Sequence, residues 1–238
     1  MRLLFSVLRT VVAVAIAAAI IGQLIHSAGN AAAADPASVG FVAVNFFSFF
    51  TIDSNAASVV VLLAGVVLVA RRVHPDPVLF TTVRAAVVTY MVTTGIVYNL
   101  LLRGIALPQG QTLAWSNEIL HVIAPLYLLL DWLFAPGRVP LEWKKLWAIV
   151  AFPIVWVLYS LVRGPLAIDA ATGAPWYPYP FLNPATSPNG YLSVSFYVIL
   201  IGLVIVALGA GAIRVSRGRG SGRGSGRGSG RPERRIVS

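Results

Sequence analysis

The chain has 238 residues, 58% of them hydrophobic and only 11% charged. Soluble domains carry roughly a quarter charged residues, so this composition excludes a water-soluble globular fold and points to a membrane protein. Of the net charge of +10, the eight arginines and one glutamate from Arg214 onward supply +7, which leaves no basic domain to bind nucleic acid, and no such partner is expected.

Cysteine is absent, which rules out disulfides, a thiol nucleophile and Cys-ligated zinc. His26, His74 and His121 are far apart without close ligand spacing, so neither a metal nor any other cofactor is expected.

Six long apolar segments follow one another at about 3–26, 41–70, 78–102, 113–135, 146–163 and 191–213. A spanning helix needs roughly 20 apolar residues, and all six come near or exceed that length. They predict an all-α integral membrane protein, one bundle of six transmembrane helices. The second segment is long enough to begin with an interfacial turn or to tilt. Prolines gather between spans, while Pro125 and Pro153 fall inside the fourth and fifth and predict kinks.

Lys and Arg alternate in side as six spans require. Arg2 and Arg9 flank the first span, Arg71 and Arg72 follow the second, and Arg138, Lys144 and Lys145 follow the fourth. Only Arg103 and Arg163 fall on the other side, which predicts cytoplasmic N- and C-termini. "VVAVAIAAAII" followed by "AAAAD" has the form of a signal-peptide core and cleavage site, and cleavage would leave five spans with the same orientation. Retention is expected, because apolar residues run from Leu3 through Ile25, longer than a usual signal core. The segment 214–238, with its Gly-Arg-Gly-Ser repeat, is expected to be a disordered cytoplasmic tail whose arginines favour anionic lipid headgroups.

The second segment contains "NFFSFFTIDSN", with more polar groups than a span tolerates idly. At 100° per residue, Ser48, Thr51, Asn55 and Ser58 share an arc of roughly 80°, with Asn45 at its margin. Asp53 projects to nearly the opposite side, and the sequence names no partner for it. Such a stripe is commonly glue between helices. Span four adds Asn117, Glu118 and His121 in its outer part, with Glu118 one turn before His121. Counted from the span starts, Thr51 and His121 lie at depths of roughly 15 and 12 Å. A hydroxyl and an imidazole at one level, both facing inward, are the minimum for a nucleophile and its base. Span three contributes Tyr98 and Asn99 near the same end, and its Arg84 is expected to pair with Asp131 of span four as a structural anchor. The loop "APWYPYPFLNPATSPNGY" reads either as an aromatic interface belt or as a stiff lid over a lipid-sized substrate.

"FFTIDSN", "TGIVYNLLLR", "LHVIAPLYLLLDWL" and "YPYPFLN…GY", taken in order, resemble bacterial relatives of the androgen-induced and androgen-dependent six-span integral membrane proteins. The likeness covers most of residues 41–210. It implies a bacterial inner-membrane protein that hydrolyses lipid esters, since an intramembrane threonine and histidine of the eukaryotic members cleave fatty acid esters of hydroxy fatty acids. Thr51 and His121 match those two positions and are the expected catalytic pair. Asp53 stands where the family more usually has an uncharged residue. Asn55 or Asn117 is expected to stabilise the oxyanion, and Ser48, Glu118, Tyr98 and Asn99 to line the pocket. Membrane lipids are then the expected partners. Two other classes stay open from the residues alone, a lipid or small-molecule binding module without chemistry and a structural membrane protein.

Overall fold

A computed structural model describes residues 2–105, 112–170 and 172–218. The described residues form helices joined by turns and loops, with no strand among them beyond an isolated bridge between Ile168 and Pro175. Six helical segments are long and apolar enough to cross a membrane. The first is α1 (Arg2–Ala34). A short helix α2 (Val39–Phe46) precedes the second, α3 (Phe50–Ala70). The third is α4 (Val78–Val97), which widens into a π-helical turn, Tyr98–Leu102. The fourth is α5 (Ala114–Glu118), a second π turn over Ile119–Ile123, then α6 (Ala124–Phe134). The last two are α7 (Lys145–Arg163) and α8 (Tyr191–Gly218). The end where α1 starts is called proximal here, and the opposite end distal.

The expected 41–70 segment is thus two helices, broken at Phe47–Phe49. No glycine or proline lies at the break; tertiary contacts make it. Arg163 donates to Asn45 Oδ1 (2.7 Å), Ser48 Oγ meets Tyr159 Oη (2.9 Å), and Trp156 Nε1 donates to the Ser48 carbonyl (3.1 Å). Phe49 turns extended and packs edge-on against Trp176 and Tyr179. The last helix also runs five residues further than 213, so Arg214 and Arg217 belong to α8. The Gly-Arg-Gly-Ser repeat lies outside the described residues.

α4 is the central helix, packed on α3, α6, α7 and α8. Its hydroxyls are silenced in the way usual for spans: Thr82, Thr89 and Thr93 donate to the carbonyl four residues back, as do Ser54 and Ser58 of α3. Proline leaves the opposite problem, a carbonyl with no donor. Pro153 cannot serve the Ile149 carbonyl, and Tyr90 Oη of α4 donates to it instead at 2.7 Å. Pro125 does the same to the His121 carbonyl, with consequences for the site.

At the proximal end Asp131 is gripped twice. Arg84 reaches it at 2.7 Å, the pairing expected from sequence, and Arg9 of α1 reaches it at 2.8 Å. All three side chains are at most 4% exposed. Arg9 therefore does not flank the first span, as its position suggested. With α1 helical from Arg2, it sits two turns in and faces the bundle. Gly65 of α3 makes room, since a Cβ there would lie 2.7 Å from Arg9 Nη1. A Gly65→Val variant is expected to lose about 1–3 kcal/mol of stability through overpacking, read as a lower melting temperature in detergent.

Candidate active site

Thr51 is the second residue of α3 and has no completed helical turn before it. Its hydroxyl is therefore not drawn back to an i−4 carbonyl like the other hydroxyls named above. It points instead to His121 Nε2 at 3.3 Å and to Tyr179 Oη at 3.1 Å. The depth estimate assumed a helix from residue 41, which the chain does not form. The two residues meet nonetheless, because α2 folds away and α3 begins at the level of the π turn that carries His121.

That π turn follows from Pro125. Lacking an N–H, Pro125 leaves the His121 carbonyl free, and the Ala124 amide slips back one residue to the Ile119 carbonyl. The Leu120 carbonyl is freed as well. Asparagines from two neighbouring helices take up the strays: Asn55 Nδ2 donates to Leu120 O (3.1 Å) and Thr51 O (2.9 Å), and Asn99 Nδ2 donates to Gly95 O (2.8 Å) and His121 O (3.4 Å). Gly95 lets α4 approach, with an added Cβ only 3.1 Å from Pro125. The sequence expected a kink here, and the chain answers with a widened turn that turns His121 toward α3.

The histidine's tautomer follows from its partners. Nδ1 lies 2.9 Å from the Asn117 carbonyl, which can only accept, so Nδ1 carries the proton and Nε2 presents a lone pair. Thr51 Oγ–H then donates to Nε2, and Tyr179 Oη–H donates to Thr51 Oγ. The result is a directed chain, Tyr179 to Thr51 to His121 to the Asn117 carbonyl. Tyr98 stacks on the imidazole with ring centroids 4.0 Å apart, and Asn117 Nδ2 donates to its phenol.

Tyr179 was read from sequence only as part of an aromatic loop. The loop is folded back on itself by the bridge and by Trp176 N–H to Ala167 O (2.8 Å), and Arg163 lies over the Trp176 ring. This drives Tyr179 into the bundle, where its phenol also accepts from the Thr51 amide at 3.2 Å, one of the unpaired amides of a helix start. Burial pushes the Tyr179 phenol up to about 12, against the pull of its bonds to Thr51, so it stays protonated and able to donate. The alternation of aromatic and proline residues was the only signal for it.

Two chambers meet at Thr51. An apolar one of about 330 Å³ lies between α4, α7 and α8. A more polar one of about 440 Å³ lies at the distal end, lined by Gln23, Ser27, Ser116, Asn117, Glu118 and His121 among others. Thr51, Tyr98, Leu102 and Tyr179 belong to both walls. Of the expected lining residues, Tyr98, Asn117 and Glu118 take that position. Ser48, Asn55 and Asn99 line neither chamber, each being engaged in the local bonds described above. Asn55 is also removed as an oxyanion donor, because its amide hydrogens are committed to two carbonyls. Glu118 turns away from His121 to meet Arg103 at 2.8 Å, with both side chains about half exposed. Asp53, in the first turn of α3, is half-buried and faces neither Thr51 nor a cation within ion-pair distance among the described residues.

Comparisons with known proteins return no match. No family model fits the chain, and neither a curated protein nor a solved structure resembles it significantly.

Proposed function

We propose that the protein is an intramembrane hydrolase of lipid carboxylic esters, with Thr51 as nucleophile and His121 as general base. The observation that carries this reading is the Thr51 Oγ–His121 Nε2 approach with the imidazole's other nitrogen held by a carbonyl. The threonine hydroxyl is also held by a buried phenol at the junction of two chambers, which gives a substrate room to reach it. The resemblance to the androgen-induced proteins at Thr51 and His121 supports the same chemistry.

In this mechanism His121 Nε2 takes the Thr51 proton as Oγ attacks the ester carbonyl. Tyr179, released from Thr51, donates to the oxyanion. The tetrahedral intermediate collapses, the leaving alcohol takes the proton from Nε2, and an acyl-threonine remains. Water then gives a proton to Nε2 and attacks, and the acid departs as Thr51 recovers its hydrogen. The Tyr98 face lies over the imidazolium formed in each half. The excess of Lys and Arg in the proximal loops supports a cytoplasmic proximal end, with the site then toward the outer surface.

Incubation of the purified protein with a fluorophosphonate probe tests the assignment. A phosphonyl adduct mapped to the Thr51 peptide and absent from Thr51→Ala is expected. No adduct, together with no ester turnover, rejects the enzyme in favour of a binding module. Tyr179→Phe is expected to lower kcat by about 10²-fold with little change in KM, the usual effect of losing one oxyanion donor.

A further inference from the structure

The apolar chamber has a shape that the chemistry at Thr51 alone does not explain. At the proximal end α8 lies tight on α7, since a Cβ on Gly209 would come 2.9 Å from Leu146. Two turns nearer the distal end the helices part. Gly202 lines the chamber, and a Cβ added there would meet nothing within 4 Å. Phe181 and Leu182 of the loop close the distal end. Trp147, Ile154 and Val206 line the chamber yet remain exposed on the outer surface, so it opens sideways between α7 and α8. From Trp147 to Val157 the wall runs about 15 Å at the α-helical rise. That is about half the thickness of a bilayer's hydrocarbon core, the depth filled by chains of one leaflet.

We propose that this chamber is the acyl subsite, that its occupant is one long acyl chain entering sideways from the bilayer, and that Gly202 sets the chain length accepted. This rests on the hydrolase reading above. An ester held with its carbonyl at Thr51 must send its two halves in different directions. The distal chamber carries Gln23, Ser27, Asn117 and Glu118, which suit an alcohol and water, whereas the wall between α7 and α8 is almost wholly apolar, so the hydrocarbon goes there. The acyl-threonine would keep its chain there while the alcohol leaves and water arrives from the other side.

The test compares p-nitrophenyl butyrate with p-nitrophenyl palmitate on the full chain in nanodiscs, for wild type, Gly202→Phe and Gly202→Leu. Gly202→Phe is expected to lower the ratio of kcat/KM for palmitate to that for butyrate at least about tenfold, because each displaced methylene forfeits its burial. Gly202→Leu follows the same order with a smaller loss. Parallel changes for both esters, or none, overturn the subsite. Photolabelling with a diazirine fatty acid keeps the two readings separate. Labelling of α7 and α8 that Gly202→Phe abolishes supports the chain site even if no ester is cleaved, and absence of labelling in wild type overturns it. Wild type inactive toward both esters counts against the hydrolase itself.

Discussion

His121→Gln is expected to fold as the wild type does and to lose ester hydrolysis by about 10³-fold in kcat, within the range for removing a general base. Glutamine keeps a polar side chain of similar reach but has no nitrogen lone pair with which to take the Thr51 proton. Thr51→Ala is expected to lose at least as much, along with every acyl adduct, while Thr51→Ser keeps a hydroxyl and measurable turnover. The two losses should not add in the double variant, because each removes the same step. Kinetics on a soluble ester with each purified variant, alongside its melting temperature, checks this. Full turnover in Thr51→Ala would discard the acyl-threonine route, and a melting temperature that falls with activity would recast His121 as structural.

The second large effect concerns stability. Asp131→Ala is expected to cost about 3–5 kcal/mol, since it removes the carboxylate shared by two buried guanidiniums and leaves only Asp76, 3.7 Å from Arg84, to balance them. Arg9 and Arg84 come from different helices, so their repulsion would act between α1 and α4 as well as against α6. Replacing the whole cluster by Arg9→Met, Arg84→Met and Asp131→Leu, with Asp76→Asn because Asp76 would lose its pairing to Arg84, is expected to recover most of that loss, because buried ion clusters seldom outperform apolar packing of similar volume. Melting temperature and monodispersity in detergent are the measurements. A single variant as stable as wild type would mean that water reaches the cluster and that its burial is not what holds it.

Much of the architecture can be read from the chain because bilayer thickness acts as a ruler on apolar length. Six stretches met it, and six helices match it, most limits within a few residues, although α1 runs eight residues past 26 and the second span starts nine residues after 41. The break before Phe50 was hidden because it depends on Arg163, Tyr159 and Trp156, all more than a hundred positions away. For the same reason Ser48 looked like a member of the Thr51 stripe. Arg9 looked interfacial because sequence gives no sign of the acid opposite it. Thr51 and His121 were visible as chemistry, and Pro125 marked the irregular turn between Glu118 and Ala124. Tyr179 was not assigned to them, since nothing local in a proline-rich loop says how far inward it will reach.

Because Tyr179 belongs to the link between the fifth and sixth helices, the hydrogen-bonded chain from Tyr179 through Thr51 to His121 is finished late in synthesis. A growing polypeptide that has inserted only four helices already owns Thr51 and His121, yet lacks the phenol that holds the threonine's amide and donates to its hydroxyl. That chain of bonds thus waits for the final pair of helices to dock.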